Sequence, residues 1–496
     1  MVTTSDGHEN NLSQCLVLED FEAQAKKKLP KHIYEYVASG AGDEQCLRAN
    51  TRIFQQLFII PRVLSSCSEP NTSIQVGATK LSFPFLVAPF GVHKLVHPQG
   101  EEATARACLE EGITLGISQH STVQLEQVRK VAPRGSHWFQ CYILKDRDIT
   151  LRLVKRAEEA GYEALVITVD SPIFGYRPSD TRNGFQRLPK GLEYENYKNE
   201  VKELNAFANE GDTGGFDDYI DRIFDANITW DDLCLVKKQT RLPVFVKGIQ
   251  SVEDSLLAIK YGFNGIIISN HGGRQLGSAA PTMQCLPSIV QVIRKLNPQN
   301  FSILIDSGFR SGEDIIKALA VGADAVCIGR PILWGLACGG VLGVKKVLAI
   351  LKRELRDGMK LCGCASLEDI RGLQLVTNGN LARNEWIDDN TVTNRNVLKM
   401  ERALKSSARL VPIRPKPVVP SKGSETFSLH VVGATWDGGC TYYIRGGGSY
   451  ITNGRITVPS RASNPMTKDE FFLLGTYSRD KLLPLFDRTL QSSETQ

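Results

Sequence analysis

The feature that most constrains the fold is an eightfold alternation. Short apolar runs rich in branched side chains recur at 85–89, 113–118, 138–143, 164–170, 243–248, 265–270, 302–308 and 325–330. Stretches with helical spacing of apolar residues lie between them, as at 101–109, 149–160 and 311–321. A run that is apolar throughout is how a strand buried on both faces reads. Strands alternating with helices specify a parallel sheet. Eight such units predict an α/β fold, a closed TIM (β/α)8 barrel. An open, doubly wound sheet is the rival, but no G-x-G-x-x-G opens a helix after the first strand.

The flanking segments are read from the same patterns. Phe21, Ala25, Leu29 and then Ile33, Tyr36, Val37 recur at helical spacing on either side of Pro30, which predicts two short helices before the barrel. Between strands four and five lies a polar insertion, 185–226, long enough to be a mobile cover for a site at the strand ends. Thr229 is the expected N-cap of the helix after it. The barrel domain is expected over 18–401, after a polar segment 1–17. A Pro-rich linker, 402–424, leads into a small extension, 425–496, whose alternation over 427–458 predicts antiparallel strands and whose residues 466–486 are expected to form a closing helix. His430 and Cys440 read as packing residues there.

Composition excludes several classes. A net charge of +5, interspersed over 496 residues, carries no nucleic-acid footprint. The 12 cysteines lack metal-ligand spacing, so no metal is expected and the thiols read as reduced. No apolar run approaching ~18 residues and no signal-like start are seen, so no membrane partner is expected and the protein reads as soluble and intracellular, most simply cytoplasmic. The final Ser493-Glu494-Thr495-Gln496 does not match the Ser-Lys-Leu peroxisomal address.

In a TIM barrel, chemistry gathers where the strands end. Strand three ends with Gln140 and Tyr142, strand four with Thr168 and Asp170 followed by Arg177, and strand five with Lys247. Strand six runs into Ser269-Asn270-His271-Gly272-Gly273-Arg274-Gln275. Strand seven ends Asp306-Ser307-Gly308-Phe309-Arg310, and strand eight Gly329-Arg330. A histidine beside a strand end is commonly a packing residue. Here Asp170 can orient it and stabilise its charged form, which suits a base. Arg177 and Arg274 can clamp a carboxylate, and Lys247 on a buried strand needs an anion. The two Gly/Arg turns lie where such barrels commonly hold a phosphate.

These residues resemble the FMN-dependent L-2-hydroxy-acid oxidising family of glycolate oxidases, lactate oxidases and flavocytochrome lactate dehydrogenases. The signature 269–275 carries the resemblance, with Tyr34-Glu-Tyr36-x-Ala-Ser-Gly-Ala41, Ala88-Pro89, Thr168-Val-Asp170-x-Pro172, Val246-Lys247-Gly248 and Ile328-Gly-Arg-Pro331. It implies the TIM barrel again, with FMN as cofactor and His271 as the catalytic base beside Asp170. Arg177 and Arg274 would bind the substrate carboxylate, with Tyr36 and Tyr142 as hydrogen-bond donors. FMN would lie against Pro89, Phe90 and Gly91 and contact Ser118, Gln140, Thr168, Lys247 and Ser269, with its phosphate at Asp306, Ser307, Gly308, Arg310, Gly329 and Arg330. The implied reaction takes a small 2-hydroxy acid to the 2-oxo acid with O2 as acceptor and H2O2 as product, in a homotetramer. A dehydrogenase or monooxygenase outcome, or a flavin-binding protein without turnover, are the alternatives.

Three positions depart from the family. Phe90-Gly91 replaces the usual Thr-Ala, which changes access to the flavin. His120 stands where a tryptophan is common in the substrate pocket. Ser307 replaces a glycine of the phosphate loop, a change that costs little if its φ is negative. The family also has no counterpart for the tail beyond about residue 402.

Overall fold

In the computed structural model, which describes residues 12–185, 187–198 and 223–377 and the backbone of five strands between 429 and 478, all eight apolar runs are strands. They are β1 (Phe85–Phe90), β2 (Leu115–Ser118), β3 (His137–Cys141), β4 (Ala164–Thr168), β5 (Val244–Ile249), β6 (Gly265–Ile268), β7 (Ser302–Ile305) and β8 (Ala325–Ile328). All pair in parallel in chain order, and β8 closes on β1 with Val326 opposite Phe85. The family's barrel is therefore present.

Because side chains alternate along a strand, each strand presents one set to the helices and one to the barrel axis. Leu86, Trp138, Val166, Phe245, Ile267, Leu304 and Cys327 form the apolar interior. Moving two residues toward the C-terminal end replaces this layer by Gln140, Thr168, Lys247, Ser269 and Asp306, with Ser118 from β2 beside them. All six are buried. The barrel thus changes from apolar to polar within one layer. At the other end a hairpin, Ile74–Val76 with Thr79–Leu81, closes the floor. Trp138 stacks on Phe245 at 4.7 Å and its Nε1 donates to Thr79 Oγ1 at 2.9 Å, so the one polar atom of this large buried ring is satisfied.

The helices before the barrel fall where the spacing puts them. α1 (Leu18–Lys28) starts where the Asp20 carboxylate accepts the N–H groups of Leu16 and Val17, at 2.7 and 3.0 Å, and α2 (Lys31–Ala38) follows Pro30. α2 buries Ile33, Tyr36 and Val37. Thr229 is the N-cap of Trp230–Lys238, and its N–H donates to Asp232 at 2.8 Å.

The helix Arg330–Leu361 corrects one expectation. It is long and apolar enough to cross a membrane, but 67% of its most apolar window is buried against the rest of the protein, chiefly α1 and the helix Gly100–Glu111. Lys345, Lys346 and the Gly339-Gly340 break hide its length in the sequence. The eleven described cysteines are free thiols.

The chain divides into two compact units, 1–388 and 389–496. The second contains an antiparallel sheet of Leu429–Ala434, Gly439–Ile444 and Phe472–Ser478, and a hairpin of Tyr450–Thr452 with Arg455–Thr457. The closing helix expected over 466–486 is instead a strand at its centre. Phe472, Thr476 and Tyr477 favour extended backbone, and Gly475 weakens any helix. Residues 1–11, the centre of the insertion (199–222), the linker 402–424 and the side chains of His430 and Cys440 lie outside the described residues.

Candidate active site

The polar layer is organised by Lys247. Its Nζ donates to Ser269 Oγ at 2.8 Å and pairs with Asp306 Oδ2 at 3.2 Å, while Ser269 Oγ donates to the same carboxylate oxygen at 3.0 Å. Burial works to strip the ammonium of its proton, but Asp306, Asp170 and Tyr142 outweigh it, and the pKa lies above the ordinary lysine value. On the opposite side Ser118 Oγ donates to Gln140 Oε1 at 3.1 Å and Gln140 Nε2 to Thr168 Oγ1 at 3.0 Å.

Above this layer the 269–275 loop turns back through three consecutive positive φ values, +58° at His271, +64° at Gly272 and +76° at Gly273. Asn270 holds the turn: its Oδ1 accepts the Gly273 N–H at 3.1 Å, and its amide exchanges hydrogen bonds of 2.7 and 3.0 Å with Asn50 of α3 (Gln45–Gln55). A Cβ at Gly273 would meet Leu47 N at 2.7 Å, so glycine is required for this packing. His271 Nδ1 lies 2.8 Å from Asp170 Oδ1. Burial pushes the Asp170 carboxyl up, but His271, Lys247 and the Ser171 hydroxyl together hold it below the usual carboxylate range. An ionised Asp170 makes Nδ1 the donor and leaves the Nε2 lone pair available.

Two guanidinium groups share the cavity with this imidazole. Arg274 Nη1 donates to the carbonyls of Tyr36 and Ser39 at 2.7 and 3.1 Å, and its guanidinium stands 5.1 Å from the Tyr36 ring. Arg177 lies over Phe174 at 3.7 Å and pairs with Asp180 at 3.4 Å. Burial, reinforced by Arg274, pulls the Arg177 pKa down to about 10. Two close cations, one partly neutralised, favour an incoming anion.

The phosphate turns are less simple than their sequences. Ser307 has φ +78°, so the condition for a cheap replacement of glycine is not met. Its hydroxyl accounts for the conformation by donating to Asp306 Oδ1 at 2.7 Å and accepting the Gly272 N–H at 3.1 Å. Gly308 follows at φ +92°, where a Cβ would stand 2.0 Å from Asn50 O. Among the described residues, the N–H groups of Ser307, Gly308 and Phe309 donate to no protein acceptor. Arg330 is spent largely on the scaffold. Its Nε donates to Val37 O at 3.0 Å and its Nη2 to Ser39 O and Gly272 O at 3.1 and 3.0 Å. Burial, then Arg274 and Arg310, lower its pKa to about 9.

One cavity brings most of these residues together. Tyr36, Tyr142, Arg177, His271 and Arg274 line it, as do Pro89, Phe90, Gly91, Ser118 and Lys247 and the turns at Asp306–Arg310 and Gly329–Arg330. Asp170, Gln140, Thr168 and Ser269 stand one shell behind, each bonded to a lining residue or to its neighbour. The sequence reading missed Tyr194, Phe224 and Phe174, which also line the cavity. Tyr194 and Phe224 belong to the 185–226 insertion, where an aromatic residue in a polar stretch is the only signal. They surround His120, with ring centroids 4.8 and 5.7 Å away, and Tyr142 stands at 5.3 Å. Burial, then His271, pull His120 down to about 3, so its ring is neutral.

The family model described as FMN-dependent dehydrogenase matches residues 25–377. The chain belongs to that family. It is 39% identical over 359 residues to human 2-hydroxyacid oxidase 1, covering 72% of this chain and 96% of that protein. An L-lactate oxidase of Nostoc sp. is 42% identical over 362 residues, with coverages of 72% and 97%. A solved mandelate oxidase with (S)-4-hydroxymandelic acid superposes with a TM-score of 0.68 at 39% identity, covering 73% of this chain and 99% of that one.

FMN is the family's cofactor, and the residues present fit it. A buried cation sits in the polar layer, N–H groups without protein acceptors cluster at the β7 turn, and a Cβ on Gly329 would meet nothing nearer than Ala88 Cβ at 4.0 Å, so glycine leaves that space open to a ligand. The tail beyond residue 377 falls outside the family match.

Proposed function

We propose that the chain is an FMN-dependent oxidase that converts small L-2-hydroxy acids to 2-oxo acids, with O2 as electron acceptor and H2O2 as product. The observation that carries this reading is the His271–Asp170 contact of 2.8 Å, in a cavity shared by Arg177 and Arg274 and floored by Lys247. Its relatives' names, 2-hydroxyacid oxidase, L-lactate oxidase and mandelate oxidase, support the same chemistry.

Arg177 and Arg274 bind the substrate carboxylate and fix C2, since a guanidinium pair orients a planar anion as well as neutralising it. The Tyr36 and Tyr142 hydroxyls donate to the bound acid. Burial and Asp170 hold the Tyr142 pKa above the usual phenol value, which keeps it a donor. His271 Nε2 accepts the C2 hydroxyl proton, and the resulting imidazolium is stabilised by Asp170. Bound FMN supplies the two-electron acceptor for this oxidation. Lys247 keeps a fixed positive charge beneath the site, where negative charge develops. Pro89, Phe90, Gly91, Ser118, Gln140, Thr168 and Ser269 shape and support the place of the ring system. The N–H groups at Ser307–Phe309, with Arg310, Gly329 and Arg330, would hold its phosphate. By family resemblance we extend the reading to a soluble, intracellular homotetramer, which sedimentation and cell fractionation would test.

The test is anaerobic mixing of the yellow protein with a chain-length series of 2-hydroxy acids, then admission of O2 with a peroxide assay. Bleaching by at least one acid and near-stoichiometric H2O2 are expected. Retained colour with every acid would leave only the flavin-binding alternative. The other reading, a dehydrogenase or monooxygenase, is favoured by Gly91, which lacks a Cβ on the cavity wall. Bleaching without matching peroxide would select it.

A further inference from the structure

The hydroxyl of Ser307 belongs to neither the base nor the carboxylate clamp, yet it lies between the two halves of the site. It donates to Asp306 Oδ1 at 2.7 Å, and the other oxygen of that carboxylate pairs with Lys247 at 3.2 Å. It also accepts the N–H of Gly272, the residue after His271, at 3.1 Å. The frame closes through Ser269, whose Oγ accepts from both Lys247, at 2.8 Å, and the His271 N–H, at 3.1 Å. Lys247, Asp306, Ser307, Gly272, His271 and Ser269 therefore form a ring of hydrogen bonds. Its members come from the ends of β5, β6 and β7.

Two members of this ring are strained. Ser307 and His271 are non-glycine residues at φ +78° and +58°. A left-handed conformation at a residue with a side chain persists only where its surroundings over-determine it. At Ser307 a glycine would take the same backbone without strain, and glycine is the residue that the family resemblance leads one to expect. What serine adds is the hydroxyl, which makes the only side-chain bond to the Gly272 N–H among the described residues.

We infer that Ser307 is a positioning residue: its hydroxyl fixes the His271 backbone turn to the Asp306–Lys247 pair, so that the imidazole and the buried cation keep one geometry. This rests on the oxidase reading above. Removing the link loosens the His271-Gly272 turn, while Arg274, tied to the carbonyls of Tyr36 and Ser39, and Arg177 still hold the carboxylate. The loss therefore falls on kcat and not on KM, because a small misplacement of a base costs rate steeply.

The experiment compares Ser307→Gly and Ser307→Ala with the wild-type holoenzyme at saturating FMN. Thermal stability and FMN affinity, from flavin fluorescence, are measured alongside kcat and KM. Glycine removes the strain with the hydroxyl, and alanine removes only the hydroxyl. The expected result is a similar kcat loss in both, on the order of 10-fold, with KM within 2-fold. Stability should meanwhile be higher in the glycine variant than in the alanine variant. Wild-type kcat in Ser307→Gly overturns the proposal, and that variant alone suffices if the alanine variant does not fold. A kcat loss that appears without added FMN and vanishes at saturating FMN also overturns it, by assigning the hydroxyl to cofactor retention. Wild-type protein that no hydroxy acid reduces would instead strike at the oxidase reading, independently of either variant.

Discussion

The charges at the site are not interchangeable, and two substitutions separate their roles. His271→Gln keeps a polar group beside Asp170 but removes the proton acceptor. It should retain FMN while reduction by substrate slows by about 10²- to 10⁴-fold, the range for loss of a general base. Lys247→Met is a different kind of loss, because Asp306 and Asp170 stay buried without their shared ammonium. Breaking such a pair destabilises by about 3–5 kcal/mol, so a lower unfolding midpoint and weaker FMN binding are expected together. Stopped-flow reduction and flavin titration of the two variants check this, and equal behaviour of the pair would contradict the separate roles. His271, Arg274 and Lys247 were legible because a signature motif and strand-end positions mark them. The φ of Ser307 was not, since nothing in a serine's neighbours reports the backbone that its hydroxyl supports. Asn50 was also invisible, because its partner Asn270 lies 220 residues away.

At the scale of elements, the barrel was readable because strands buried on both faces are apolar throughout and recur between helices. The period-two alternation also explains why Ser118, Gln140, Thr168, Lys247, Ser269 and Asp306 share one layer. What escaped were segments without period: the aromatic ends of the insertion, and the strand Phe472–Ser478, whose pairing is set by a distant partner. The departures at 91 and 120 are one packing event. A Cβ at Gly91 would stand 2.9 Å from His120 O and 3.1 Å from His120 Cβ. The 120 turn cannot give easily, because Glu101 accepts from Thr122 N and Oγ1 at 2.9 and 2.7 Å and from His93 N at 3.0 Å. Gly91→Ala should therefore cost about 1–3 kcal/mol, as overpacked positions do, and raise KM several-fold by displacing His120 within its aromatic cluster. Thermal unfolding with steady-state kinetics checks it; no change in either would mean that the turn yields freely.

For the whole molecule, three histidines, His93 and His137 buried and His120 half-buried, fix how stability answers to acid. Burial, the main cause in each case, lowers the pKa of His93, of His120 to about 3, and of His137 to about 4. At His137 the Arg129 guanidinium adds to the effect, with its Nη1 3.2 Å from Nδ1. A folded pKa below the unfolded value means that the native state refuses a proton which the unfolded chain accepts. Stability is then full above the ordinary histidine value of 6.5 and is lost as pH falls toward the folded value. Each such ring contributes a slope approaching about 1.4 kcal/mol per pH unit well below 6.5. His93 and His120 lie close together beside the cavity, whereas His137 is on the outer face of β3, so its slope should add to theirs. His137→Gln removes one of them without touching the site. Its unfolding free energy, measured in urea at pH 7.5, 6.5 and 5.5, should fall less steeply than that of the wild type, the gap between the two shrinking by about 1 kcal/mol between pH 6.5 and 5.5. Parallel curves would show that His137 takes up its proton in the folded barrel, against the environment that burial and Arg129 give it.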